Sequence, residues 1–92
     1  NRVPMIKSTI TISNKLGLHA RASAKLTKLA GTFKSDVFMS RGERRINAKS
    51  IMGVMMLAAE CGSIVHIRAA GDDAAGAVDA LVELVRNRFN EE

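Results

Sequence analysis

The spacing of apolar residues along this chain switches between two periods, and the order of the switches leaves few folds open. Residues 6–13 alternate, with Ile6, Ser8, Ile10 and Ile12 on one face and Lys7, Thr9 and Thr11 on the other. A period of two is that of a half-buried strand. Asn14-Lys15-Leu16-Gly17 breaks the pattern. From Ala20 the period becomes helical: Ala22, Leu26, Leu29 and Phe33 share a face, Arg21, Lys25 and Lys28 form a basic stripe, and Gly31 supplies a stop after Ala30. Residues 34–40 read as a second strand, Arg41-Gly42-Glu43 as a turn, and residues 44–47 as a short third strand, so that the pair forms a hairpin. Asn47 and Ser50 are candidate caps for a short helix over 51–59. After Gly62, residues 63–70 make a fourth strand with Ile64, Val65 and Ile67. Gly71-Asp72-Asp73 is a turn ending in a cap, and 74–89 is a last helix with Val78, Leu81, Val85 and Phe89 inward.

The order β-α-β-β-α-β-α within 92 residues is that of one small α+β domain, a sheet covered on one face by helices. The ferredoxin-like fold uses β-α-β-β-α-β as well, and element order alone does not separate the two. Residues 1–4, ahead of Met5, read as left over from processing, with the domain running over 5–92. Several classes fall away. One cysteine, Cys61, cannot make a disulfide scaffold, and with His19 and His66 it cannot make a Cys/His metal cluster. The longest apolar run, 51–59, is far short of the ~20 residues that span a bilayer. No signal-peptide pattern opens the chain, and a reduced cytoplasmic setting is the simplest expectation.

Charge is unevenly spread. The net charge is +5, yet residues 1–50 hold eleven Lys/Arg against two acids, whereas 51–92 hold three against seven. The asymmetry suggests an electropositive face for an anionic partner, which could be a phosphate, an acidic protein or nucleic acid.

Two stretches could carry chemistry. In Gly17-Leu18-His19-Ala20-Arg21, the histidine stands immediately before a predicted helix, where free backbone N–H groups and the positive end of the dipole attract anions. Gly17 gives the turn freedom, and Arg21 brings a planar guanidinium suited to phosphate oxygens. An imidazole there could carry a covalent phosphoryl group. A histidine that simply satisfies a cap is the plainer alternative. In Ser50-Ile51-Met52-Gly53-Val54-Met55-Met56-Leu57, a short helix has no polar face, so it is either a core helix or an adaptable apolar docking surface. Ser50 reads first as its cap, and a phosphate there would place about two negative charges beside the apolar residues. His66, Cys61, Asp72, Asp73 and Asp79 read as packing, turn, cap and surface residues. Paired carboxylates for acid–base work, a Walker loop and a dinucleotide glycine pattern are all missing from the sequence.

These two stretches, in this order and with 31 residues from His19 to Ser50, resemble the histidine-containing phosphocarrier (HPr) family of the bacterial phosphotransferase system, over essentially the whole chain from Met5 to Asn90. The resemblance implies an open-faced sandwich, four antiparallel strands with three helices on one side. It implies that His19 accepts a phosphoryl group at Nδ1 from enzyme I, which draws it from phosphoenolpyruvate, and passes it to an enzyme II A-type domain. Arg21 would steady the phosphate. Ile51, Met52 and Met55 would form the apolar docking patch, with Gly17, Ala20, Lys25, Lys28 and Lys49 completing the partner-binding surface. Ser50 would be a regulatory phosphosite for an HPr kinase/phosphorylase. Such a protein is a carrier more than an enzyme, needs no metal or cofactor, and is expected to be a monomer. Ala22 departs from the family, which usually has proline there; alanine is an excellent helix former, so the helix is expected to survive. Asn14-Lys15-Leu16-Gly17 is similar to the nitrogen-related paralogues, whereas the Ser50 motif is similar to kinase-regulated members. A rival reading is a small basic nucleic-acid-binding domain of ferredoxin-like fold. Three Phe with no Trp or Tyr leave it little for base stacking. A purely regulatory adaptor that binds through the Met-rich helix is a third.

Overall fold

The computed structural model describes residues 3–91. Its elements are β1 (Met5–Thr11), α1 (Ala20–Ala30), β2 (Asp36–Arg41), β3 (Arg44–Asn47), α2 (Ile51–Met56), β4 (Ile64–Ala70) and α3 (Ala74–Arg86). The strands form one antiparallel sheet in the order β1-β4-β2-β3. This is the open sheet with three helices that the α+β reading anticipates, and it removes the ferredoxin-like alternative. Of the four residues assigned to processing, Asn1 and Arg2 lie outside the described residues, while the Pro4 carbonyl accepts a hydrogen bond from the Gly71 amide at 2.9 Å.

The period-two pattern explains the layers. Ile10, Val37, Met39, Val65, Ile67 and Ala69 turn to the helices and are buried. They meet Ala22, Leu26 and Ala30 of α1, Val54 of α2, and Ala77, Val78, Leu81 and Val85 of α3, all buried. Ala22 is wholly buried, so the side chain in the usual proline position is a core residue of an intact helix. The opposite sheet face carries Lys7, Thr9, His66 and Arg45, which are exposed. Arg45 lies over the Phe38 ring at 4.6 Å from its centroid. His66 sits on β4, an inner strand, and its Nδ1 shares a 2.9 Å hydrogen bond with Thr9 Oγ1. No helix among the described residues is long and apolar enough to cross a membrane.

Three expectations need correction. The helix expected over 51–59 ends at Met56. Ala58 takes φ +52°, and the carbonyls left free are taken by guanidinium groups: Arg44 donates to Met56 O, and Arg41 to Leu57 O and Ala58 O, at 2.7, 3.0 and 3.2 Å. The last helix ends at Arg86 rather than Phe89. Arg88, Phe89 and Asn90 follow with φ +54°, +57° and +60°, a left-handed turn. Such a turn costs non-glycine residues roughly 1–2 kcal/mol each. It is held by the fully buried Phe89 ring and by Lys25 Nζ, which donates to Phe89 O at 2.6 Å.

The third correction concerns Asp73. It occupies the cap position of α3, but its side chain makes no capping hydrogen bond. Its carboxylate instead accepts from the Lys34 amide at 2.8 Å, the Ser35 amide at 2.9 Å and the Ser35 hydroxyl. With those two amides taken, β2 starts at Asp36 and not at Lys34. The Ser35 hydroxyl and then the Lys34 amide hold the Asp73 carboxyl down at about 2. A carboxyl whose pKa is lowered on folding adds stability above its unfolded value, and that contribution is lost as pH falls through the folded value. Asp73→Asn is therefore expected to melt below the parent at neutral pH. The gap should close as pH drops from about 4 toward 2. Thermal melts of both proteins across that range check it; a gap that stays constant would show that the charge of Asp73 is not what binds the α1–β2 loop.

Candidate functional site

The site is built at the β1–α1 junction. Gly17 adopts φ +69°, and a Cβ there would stand 2.5 Å from Ala59 O and 2.8 Å from Glu60 Cα. Only glycine allows both the turn and the close approach. The turn is tied on both sides: Asn14 Nδ2 donates to Gly17 O at 2.8 Å, and the Leu18 amide donates to Ala59 O at 2.9 Å. Leu18 is buried, so the next residue must face out.

That residue, His19, is the cap of α1, with extended backbone (φ −76°, ψ −179°). Its Nδ1 accepts a hydrogen bond from the Arg21 amide at 3.2 Å. An acceptor Nδ1 carries no proton, so the proton of the neutral ring is on Nε2. Nε2 meets Glu91 Oε2 at 2.7 Å, and the other carboxylate oxygen of Glu91 accepts from Asn14 Nδ2 at 3.2 Å. Desolvation pushes the Glu91 carboxyl up, but the hydrogen bonds from His19 and Asn14, with the electrostatic pull of His19 and Lys25, outweigh it and leave it lowered. Asn14 is itself buried, and its Oδ1 has no partner among the described residues. The imidazole is about a quarter exposed, in an open groove that Lys15, Leu16, Arg21 and Arg88 also line. Three cations around one helix N-terminus make the groove a place for an anion.

Ser50 caps α2, its hydroxyl accepting from the Gly53 amide at 3.1 Å. The all-apolar helix behind it divides by face. Val54 and Leu57 are buried, whereas Ile51, Met52, Met55 and Met56 are exposed, Met52 by 66 % and Met56 by 63 %. It is therefore no core helix. The exposed side is an apolar surface beside an N-terminal cap, on a helix that packs against α1.

Of the residues expected around these two centres, Ala20 and Arg21 are exposed beside His19. Lys28 is exposed on a different groove, with Leu29 and Leu84. Three have internal tasks. Gly17 is buried and serves the turn. The Lys25 ammonium binds Phe89 O, and the Lys49 ammonium donates to Phe33 O at 2.9 Å. Sequence reasoning missed Glu91, Arg88 and Asn14. A last helix running through Phe89, as the apolar spacing predicts, hides Arg88 and Glu91. Asn14 read as part of a strand-breaking turn, and no local pattern marks its buried amide. Among the described residues there is no cluster of His, Cys, Asp and Glu that could hold a metal.

Comparison with known proteins points one way. The family model described as "PTS HPr component phosphorylation site" matches residues 6–87. The chain is 61 % identical over 87 residues to the phosphocarrier protein HPr of Cupriavidus necator, covering 95 % of this chain and 98 % of that one. It is 50 % identical over 88 residues to the phosphocarrier protein HPr of Xylella fastidiosa, covering 96 % and 99 %. A crystal structure of HPr-C-His from Thermoanaerobacter tengcongensis superposes with a TM-score of 0.92 at 42 % identity, covering 95 % of this chain and 98 % of that one. With a histidine capping a helix in a cationic groove and these relatives along nearly its full length, the chain belongs to the HPr family, the phosphocarrier proteins of the phosphotransferase system.

Proposed function

We propose that His19 is the residue that carries the phosphoryl group, at Nδ1, receiving it from phosphorylated enzyme I and giving it to an enzyme II A-type domain. The observation that carries this reading is the position of Nδ1: unprotonated, at the start of an eleven-residue helix, in a groove with Lys15, Arg21 and Arg88. The Nδ1 lone pair attacks phosphorus, the bond from phosphorus to the donor nitrogen breaks, and the donor takes that electron pair. The Arg21 amide, which now bonds Nδ1, is then free to donate to a phosphoryl oxygen, and the Arg21 guanidinium offers a planar fork to two more. Transfer onward is the same step with His19 as the leaving group. The chain ends as it began and turns over no substrate of its own, which makes it a carrier rather than an enzyme. It works as a cytoplasmic monomer, without metal or cofactor. Incubation with enzyme I and labelled phosphoenolpyruvate tests the reading. One acid-labile phosphoryl group per chain is expected, and an unlabelled or acid-stable product would overturn it.

The exposed side of α2 is the docking patch, with Ile51, Met52 and Met55 meeting an apolar surface and Met56 extending it. Ser50 is its regulatory phosphosite, used by an HPr kinase/phosphorylase. A phosphate at this cap faces free amides, so the fold should tolerate it. At the edge of an apolar contact the same dianion must lose water, and partners suited to a basic face are acidic. Ser50→Asp, an imitation with one charge, is expected to melt within a few degrees of the parent and to bind enzyme I about tenfold more weakly. Ser50→Ala should lose about 0.5–2 kcal/mol of stability with the cap and keep its affinity. Melting curves and binding isotherms of the two variants decide. Unchanged affinity in Ser50→Asp would reduce Ser50 to a cap.

A further inference from the structure

We propose that Glu91 is the positioning residue of His19: its carboxylate holds the proton on Nε2, keeps the Nδ1 lone pair free, and balances the charge the ring gains on accepting a phosphoryl group. This rests on the phosphocarrier reading and adds to it a residue that lies 72 positions away in the chain.

Three independent features of the structure converge on the contact. The first is its geometry. The 2.7 Å separation of Nε2 and Oε2 is that of a charge-assisted hydrogen bond, and a carboxylate can only accept. The Nδ1 contact to the Arg21 amide, at 3.2 Å, favours the same tautomer but is longer and weaker. The second is the left-handed turn of Arg88, Phe89 and Asn90. Strained backbone of this kind persists where surrounding structure over-determines it. Here the buried Phe89 ring and the Lys25 ammonium hold the turn, and its effect is to end α3 and bring Glu91 back over the start of α1. The third is the buried Asn14 amide, which bridges Gly17 O and Glu91 Oε1 and so ties the carboxylate to the same turn that orients His19. Asn14 does this while its own Oδ1 stays without a partner among the described residues.

The chemistry follows the ring. Neutral imidazole has one proton and one lone pair, and which nitrogen attacks depends on where the proton is. With Nε2–H held by Glu91, the lone pair is on Nδ1, at the start of α1, where it accepts only from the Arg21 amide. When Nδ1 forms its bond to phosphorus, the bond to the donor breaks and the ring becomes a cation that still carries Nε2–H. No proton has to leave. Glu91 stays hydrogen-bonded to that N–H and faces a full positive charge in place of a neutral ring, so the contact strengthens as the reaction proceeds, which is the condition for raising a rate. The incoming phosphoryl group meets the other side of the ring, away from the carboxylate.

The test uses the full chain and its Glu91→Gln and Glu91→Asp variants. Glutamine can offer Nε2 either a carbonyl oxygen or an amide N–H, so it no longer selects a tautomer. Ring nitrogen chemical shifts of neutral His19 read the tautomer, and uptake from labelled phosphoenolpyruvate with limiting enzyme I reads the rate. Glu91→Gln is expected to raise the Nδ1–H fraction and to slow uptake about tenfold, with melting unchanged within a few degrees. Glu91→Asp, which keeps the acceptor-only group, should recover most of both. If Glu91→Gln shows the parent's tautomer ratio, or takes up phosphate at the parent's rate, the proposal is overturned. If the parent itself takes up none, it is the phosphocarrier reading that fails, and the two failures are distinct.

Discussion

His19→Ala is expected to take up no phosphoryl group from enzyme I, a loss of roughly a thousandfold or more, because His19 supplies the one imidazole that lines the groove among the described residues. The fold should remain. The imidazole contributes one capping hydrogen bond to α1, and losing a cap costs about 0.5–2 kcal/mol. In a domain of this size that corresponds to a fall in melting temperature of about 2–16 °C. Uptake assays on folded His19→Ala check the point. Persistent acid-labile label in the variant, from His66 for instance, would remove His19 from the mechanism.

Gly17→Ala should have the largest effect on stability. The φ of +69° disfavours any side chain, and the added Cβ would stand 2.5 Å from the Ala59 carbonyl that accepts the Leu18 amide. Backbone, not a flexible side chain, has to move, and the Leu18–Ala59 hydrogen bond and the Asn14–Gly17 contact move with it. A strained φ with a backbone clash costs about 2–4 kcal/mol, or some 8–30 °C in melting temperature. Because the same turn aims His19, phosphoryl uptake should fall too, even in the fraction that is folded. A variant that melts with the parent would show that the junction can shift without strain, and thus that the turn does not hold the histidine in place.

How much of this is legible in the sequence depends on how local each feature is. The sheet faces can be read from period-two spacing, because Ile10, Val37 and Ile67 need only their own neighbours to reveal which way they point. The His19 cap is equally local: Gly17, His19 and Arg21 are adjacent, and the helix that makes the anion site starts among them. The ends of the helices are different. Little in Asn87-Arg88-Phe89-Asn90 announces a left-handed turn: it contains no glycine, Asn90 is the one of its three positive-φ residues of a type that enters that region readily, and Phe89 continues the helical spacing of Val78, Leu81 and Val85. Phe89 is buried as that spacing predicts, but from a turn instead of a helix. Glu91 could therefore not be placed at His19. Lys25 and Lys49 read as surface cations because their positions are polar, yet both ammonium groups fold back onto carbonyls that only the tertiary structure leaves free. Asp73 is a cap by its place in the chain and a clasp on Lys34 and Ser35 by its contacts. The apolar helix is the intermediate case. Its composition announces that something must cover it, and the split into buried Val54 and Leu57 against exposed Ile51, Met52, Met55 and Met56 needs the neighbours.

The central claim is that one nitrogen of one histidine carries the phosphoryl group. Nitrogen and phosphorus magnetic resonance of the protein phosphorylated by enzyme I addresses it directly, through the scalar coupling between phosphorus and the ring nitrogen bonded to it. The account predicts a single phosphorus signal coupled to Nδ1 of His19, with Nε2 still protonated. Coupling to Nε2, to His66, or a phosphorus signal from Ser50 in its place would contradict it.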